Sequence, residues 1–207
     1  MSESRDSSRR EVVGVLLAAG RGRRMGTLKQ LLGWNDRTLV ECAFDALARH
    51  CGAGMVVTLG AEADRVAAAL APRAFERVEV DPDAEMLDSI RAGLKAAQRQ
   101  TGARAALLHP ADHPFVVAPV VAALLDAHDE RPTVAIRPTH GGRGGHPTLI
   151  PLTLVEHLAA WNGEGGLRRL WEERPDLVHS IEFPDEERLR IDLDTPEDYA
   201  AALRFRD

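Results

Sequence analysis

Val12-Val13-Gly14-Val15-Leu16-Leu17-Ala18-Ala19-Gly20 is followed without a break by Arg21-Gly22-Arg23-Arg24-Met25-Gly26. A short β-branched apolar run closed by Ala-Ala-Gly has the pattern of a strand buried on both faces. Directly after it, a loop of glycines and arginines offers backbone N–H groups and side-chain cations to an anion. A second apolar run, Ala105-Ala106-Leu107-Leu108-His109-Pro110-Ala111-Asp112-His113-Pro114, ends on a carboxylate. A carboxylate and a glycine-arginine loop, each delivered by a strand end, are what a metal-bound nucleoside triphosphate requires.

Outward from these two runs, apolar stretches alternate with helical spacing. The pattern predicts strands over Val12–Leu17, Met55–Leu59, Val78–Val80, Ala105–Leu108, Thr133–Ile136, Pro147–Ile150, Leu177–Phe183 and Leu189–Ile191. It predicts helices over Leu39–His50, Ala61–Leu70, Met86–Gln98, Val116–His128, Leu152–Ala160, Gly166–Glu173 and Pro196–Phe205, with Pro138–Gly145 a glycine-rich loop. Strands alternating with helices of about a dozen residues imply βαβ crossovers. The expected fold class is therefore α/β: three layers, Rossmann-like, with a mostly parallel sheet and helices on both faces. Residues 1–11 read as a flexible leader and 12–207 as one domain. Ligands of such sheets bind outside the carboxyl ends of the strands. Gly20, Asp112 and the loop after Ile136 should then share one edge.

Composition narrows the function. Apolar residues make up 44% of the 207, charged residues 28% and aromatics 4%, as in a soluble globular protein. A net charge of -6 and a pI near 5.8 argue against a broad basic face for nucleic acid. Positive charge is local instead: Arg21, Arg23, Arg24 and Lys29 stand together with no acid among them, which suits a small anionic ligand. No apolar stretch approaches the ~20 residues needed to span a bilayer, and the polar start does not read as a secretory signal, so no membrane partner and a cytoplasmic location are expected. Cys42 and Cys51 read as reduced, buried thiols.

The loop does not fit the common phosphate fingerprints. The dinucleotide pattern G-x-G-x-x-G fails because Met25 stands three after Gly22, and a Walker loop would end in Gly-Lys-Ser/Thr. A solvated surface turn is the bland alternative, but so many glycines and cations directly after a buried strand exceed what a turn needs. His109 and His113 flank Asp112 and suggest zinc, yet Pro110 and Pro114 break the helix that would align them. They read better as hydrogen-bonded strand-end residues, with His113 near the ligand. In Asp194-Thr195-Pro196-Glu197-Asp198 the signals are those of a helix start, so Asp194 or Thr195 serves as a cap. Asp192 lacks that duty and is a candidate for the metal or the second substrate. Gly141–Gly145 reads as a lid or a long hairpin turn, and Gly163–Gly166 as a helix start.

Leu17-Ala18-Ala19-Gly20-x-Gly22-x-Arg24-Met25-Gly26 with Lys29 resembles the signature of nucleotidyltransferases of the nucleotide-diphospho-sugar transferase fold. Among them the chain looks most like the molybdenum cofactor (molybdopterin) cytidylyltransferases. Four further segments match in order: Ser89-Ile90-Arg91-Ala92-Gly93-Leu94, His109–Pro114, Gly144-Gly145-His146-Pro147-Thr148-Leu149 and Asp192-Leu193-Asp194-Thr195-Pro196-Glu197-Asp198. The resemblance implies transfer of CMP from CTP to the phosphate of molybdopterin-type cofactor, with release of diphosphate and use of Mg2+. By the same resemblance Leu17, Ala18, Ala19, Gly20, Gly22, Arg24, Met25, Gly26, Lys29, Asp81 and Ser89 would hold the nucleotide. Arg24, Lys29 and Asp112 would be catalytic, Asp112 and Asp192 would bind metal, and His113, His146, Asp192 and Asp194 would face the acceptor.

Three departures keep alternatives open. Glu85 and Asp88 stand where related chains carry glycine and serine, and Asp81 where asparagine is usual. Acids near the base and ribose leave GTP or another NTP as the donor, with molybdopterin or another small phosphorylated acceptor. A non-catalytic carrier that passes the cofactor to a recipient molybdenum enzyme is the alternative outside enzymes.

Overall fold

The computed structural model describes residues 11–20, 28–161, 165–191, 193 and 195–205. Its strands are β1 (Val12–Ala18), β2 (Gly33–Trp34), β3 (Arg37–Thr38), β4 (Met55–Leu59), β5 (Glu76–Glu79), β6 (Ala105–Pro110), β7 (Ala135–His140), β8 (Arg143–Gly144), β9 (Thr148–Pro151) and β10 (Val178–Glu182). Its helices are α1 (Leu39–Ala48), α2 (Ala63–Leu70), α3 (Met86–Ala97), α4 (Ala118–Glu130), α5 (Val155–Ala160), α6 (Gly166–Glu173) and α7 (Pro196–Ala202). The main sheet is ordered β10-β7-β9-β6-β1-β4-β5, with β8 beside β7, while β2 and β3 form a separate hairpin. β1 is parallel to β4 and β6, β4 to β5 and β7 to β10; β9 runs antiparallel between β6 and β7, and the short β8 antiparallel to β7. The carboxyl ends of β1, β4, β5, β6, β7 and β10 therefore share one edge.

Strand alternation builds a core on each face. Val12, Leu16 and Ala18 of β1 pack with α1, α2 and α4 through Val40, Phe44, Leu47, Val66, Leu70 and Leu124. Val13 and Val15 point the other way, toward Ile90 and Leu94 of α3, Leu158 of α5 and Leu170 and Trp171 of α6. The closeness of α3 depends on Gly93, where a Cβ would lie 2.6 Å from Val15 Cγ1 and 3.0 Å from Thr58 Cγ2. A third, smaller cluster joins Trp34, Leu39 and Phe115 to Leu193 and Ala202, with Tyr199 and Phe205 packed against it. Among the described residues no helix is long and apolar enough to cross a membrane.

The expected α/β class holds, with corrections in its parts. Leu189–Ile191 is not a strand: Glu187–Arg190 forms a 3-10 turn, because Leu189 is buried against Gly145, where a Cβ would come within 2.8 Å of Leu189 Cβ and its carbonyl oxygen. The expected loop at Pro138–Gly145 is largely strand and hairpin. β7 continues to His140, and Gly141 and Gly142, both at positive φ, turn the chain into β8. Glu182 pins this hairpin, accepting from Thr139 Oγ1 at 2.5 Å and from the Gly141 amide at 2.6 Å. Of the two cap candidates the sequence offers, Thr195 caps α7: it accepts from the Asp198 amide at 3.1 Å, while Asp198 Oδ2 accepts from the Thr195 amide at 2.9 Å.

Candidate functional site

From β1 the chain goes outward to β4 and β5, then returns to β6 on the other side of β1 and continues to the far edge. The strand order thus reverses at the β1/β6 boundary, where a doubly wound sheet opens its crevice. Gly20 leaves β1 and Asp112 leaves β6 on the two sides of that boundary, and the Ala111 amide bonds Leu17 O at 2.9 Å to hold the two strand ends together. On the other side of β1, Gly60 follows β4, and a Cβ there would stand 2.5 Å from Ala19 O. Glycine is required by that backbone approach.

Lys29 enters this crevice from a 3-10 turn, Lys29–Leu31. Its side chain is only 11% exposed and its Nζ lies 3.9 Å from Asp112 Oδ2, whose side chain is 40% exposed. A withdrawn ammonium thus faces a carboxylate open to a ligand. Gln30, which the sequence reading did not single out, is buried beside it. Its Nε2 donates to Ala18 O at 3.0 Å and Gly20 O at 2.9 Å, fixing the backbone where β1 gives way to the loop. The available signal was an amide set inside the apolar run Leu28–Leu32, where an unpaired polar group is costly.

Gly22, Arg24, Met25 and Gly26 lie outside the described residues, as do Asp192 and Asp194. Asp81 stands exposed just after β5, its Oδ1 accepting from the Asp83 amide at 2.8 Å, and Ser89 is buried in the first turns of α3.

Beside Asp112 the fold assembles three histidines. The ring centroids of His109, His113 and His146 are 5.3 to 6.1 Å apart, edge to face, and His113 continues the stack onto Phe115 at 5.8 Å. His109 is fully buried and its Nε2 lies 2.7 Å from His113 O. That carbonyl can only accept, so Nε2 carries the proton. His113 turns inward; its ring lies near the carbonyls of Phe115, Arg188 and Leu189 without reaching good hydrogen-bond geometry. His146 precedes a cis peptide to Pro147, and its Nδ1 is sealed without a partner. Burial, above all, pushes His113 down to about 4, His146 to about 3 and His109 well below its ordinary value. All three rings are neutral at pH 7.

Among the described residues no group of three His, Cys, Asp or Glu side chains is set to hold a metal. The part-exposed Asp112 carboxylate suits a hard divalent cation that takes most of its ligands from phosphate and water. At the opposite, amino-terminal edge lies a groove of about 790 Å³ lined by Glu11, Arg104, His128 and Asp129 among others. It is far from the converging strand ends.

The family described as the MobA-like NTP transferase domain matches residues 14–178. The nicotine blue oxidoreductase of Paenarthrobacter nicotinovorans is 34% identical over 90% of this chain and 93% of its own. The molybdenum cofactor guanylyltransferase of Cereibacter sphaeroides is 32% identical, covering 91% and 94%, and the molybdenum cofactor cytidylyltransferase of Escherichia coli is 24% identical, covering 91% and 93%. Rv0371c of Mycobacterium tuberculosis, solved in complex with manganese, superposes with a TM-score of 0.77 at 27% identity over 94% of this chain and 98% of its own.

Proposed function

This chain belongs to the MobA-like NTP transferase domain family, and on that footing we propose that it transfers a nucleotidyl group from an NTP to the phosphate of a molybdopterin-type cofactor. The observation that carries the reading is the facing of Lys29 and Asp112 across the strand-order reversal. In the reaction an acceptor phosphate oxygen bonds to the α-phosphorus while the bond to diphosphate breaks. Such transfer is catalysed chiefly by positioning and by neutralising spread negative charge. Lys29, its side chain 11% exposed, supplies a positive charge that strengthens as water is excluded. Gly20, and by the sequence resemblance Gly22, Arg24 and Gly26, would bind the triphosphate, and Gln30 holds the Ala18 and Gly20 carbonyls where the loop begins. Asp112 would hold a divalent ion, which when bound neutralises triphosphate charge; the manganese complex of the M. tuberculosis structure supports a divalent cation, and magnesium is our choice in the cell. By the sequence resemblance His146, Asp192 and Asp194 would meet the acceptor.

For the donor, GTP takes the lead over the CTP that the sequence resemblance implied. A guanylyltransferase stands at 32% identity and a cytidylyltransferase at 24%. Chemistry supports the same choice: exposed Asp81 and Glu85 accept hydrogen bonds, and guanine presents donors at N1 and N2. A second reading, an oxidoreductase in the same cleft, is favoured by the Paenarthrobacter relative. It leaves the Lys29–Asp112 arrangement without a use. Incubation with molybdopterin, Mg2+ or Mn2+, and either GTP or CTP, with diphosphate as readout, tests the proposal. Release with GTP that is lost in Asp112→Asn is expected. Release with CTP alone reverses the donor, and no release with either nucleotide hands the cleft to the second reading.

A further inference from the structure

We propose that His109 is a positioning residue for Asp112: its ring closes the bend from residue 109 to 113 and thereby sets where the carboxylate stands. The inference rests on Asp112 serving as the metal ligand. The bend leaves β6 at Pro110, is tied to β1 by the Ala111 amide on Leu17 O, and is turned by the His113 amide on Pro110 O at 3.3 Å. These bonds fix both flanks of Asp112 but not the carbonyl after it. His109 supplies that bond, donating from Nε2 to His113 O at 2.7 Å across a fully buried interior. Pro110 and Pro114 lack amide hydrogens, so the bend has few backbone donors of its own. A side chain must provide what the prolines cannot.

The choice of histidine follows from the surroundings. The ring fills a site walled by His113 and His146 at 5.3 and 6.1 Å, and remains a neutral donor there. A lysine or arginine would bring an unpaired charge into the same space. Groups that orient a ligand from behind typically alter metal affinity about 10–100-fold when removed.

The test compares His109→Leu, which keeps the volume and loses the donor, with His109→Gln, whose amide nitrogen reaches about as far as Nε2. Diphosphate release is titrated against Mn2+ with saturating GTP or CTP, and Mn2+ binding to the protein–nucleotide mixture is followed by electron paramagnetic resonance. His109→Leu should raise the half-saturating Mn2+ about tenfold or more, with kcat at saturating Mn2+ within about threefold of the parent. His109→Gln should return the metal constant to near the parent value. An unchanged metal constant in His109→Leu overturns the proposal, and so does a fall in kcat alone. If the leucine variant does not fold while the glutamine variant does and shows an altered metal constant, the bond serves stability rather than placement and the proposal fails; a folded glutamine variant with the parental constant upholds it, and failure of both to fold also overturns it. Asp112→Asn separates the two claims: metal-dependent turnover surviving there removes the ligand role of Asp112 itself, whatever the His109 variants do.

Discussion

Lys29 is a cation withdrawn from water at a position where only an anion gives it purpose. Keeping an ammonium at 11% exposure is costly unless an anion compensates, and the Asp112 carboxylate stands 3.9 Å from it. Beside the Asp112 carboxylate, the ammonium is placed to meet a nucleotide phosphate. Lys29→Met should therefore lower kcat/KM for nucleotidyl transfer by about 10²–10³-fold, comparable to losing a preorganised donor, while the melting temperature holds or rises. Steady-state diphosphate release and a thermal melt check both halves. Some of this was legible: the arginine-lysine stretch after a buried strand and the acid ending another run gave Lys29 and Asp112 directly. Gln30 was not, because its function is to bond two carbonyls on another segment. Nor was the grouping of His146 with His109 and His113, which depends on β9 returning beside β6.

At the scale of elements, α3 and the sheet meet through one missing side chain. Gly93→Val would drive branched carbons into Val15 and Thr58, where even a Cβ is 2.6 Å from Val15 Cγ1. Overpacking of this kind typically costs about 1–3 kcal/mol. A urea titration should show the unfolding free energy falling by that amount and the midpoint falling with it, with Ala in its place harmful to a smaller degree. Met55–Leu59 and Gly166–Glu173 could be read to the residue because apolar spacing there is bounded by turn signals. The antiparallel sense of β9 could not, since direction follows from how the Gly141–Gly142 hairpin and the chain after it are pinned, by Glu182 and by Leu189. Alternation at Leu189–Ile191 mimicked a strand for the same reason. Burial there satisfies a neighbour, not a ladder.

For the molecule as a whole, the histidine cluster sets a lower pH limit. His113 and His146 sit near 4 and 3, depressed first by burial, whereas in the unfolded chain they titrate near about 6.5. The unfolded state therefore binds more protons between those values. Stability is fully present above about pH 6.5 and is lost as the pH falls toward about 4. Melting temperatures recorded from about pH 7.5 to pH 4.5 should decline through that window, and less steeply in His146→Gln; a flat profile would contradict the neutral cluster.

The last helix bears on the first hairpin, for the Tyr199 hydroxyl donates to Gly33 O and its ring meets Trp34 edge-on at 6.2 Å. Trp34 in turn rests on Phe115, three residues beyond Asp112. Anything that drags on the carboxyl tail, such as an affinity tag, a fusion partner or a nick by a protease, would be transmitted to the crevice beside Asp112 through a row of rings. Immobilisation handles belong at the other end, where β1 begins on the side of the sheet facing away from the chemistry.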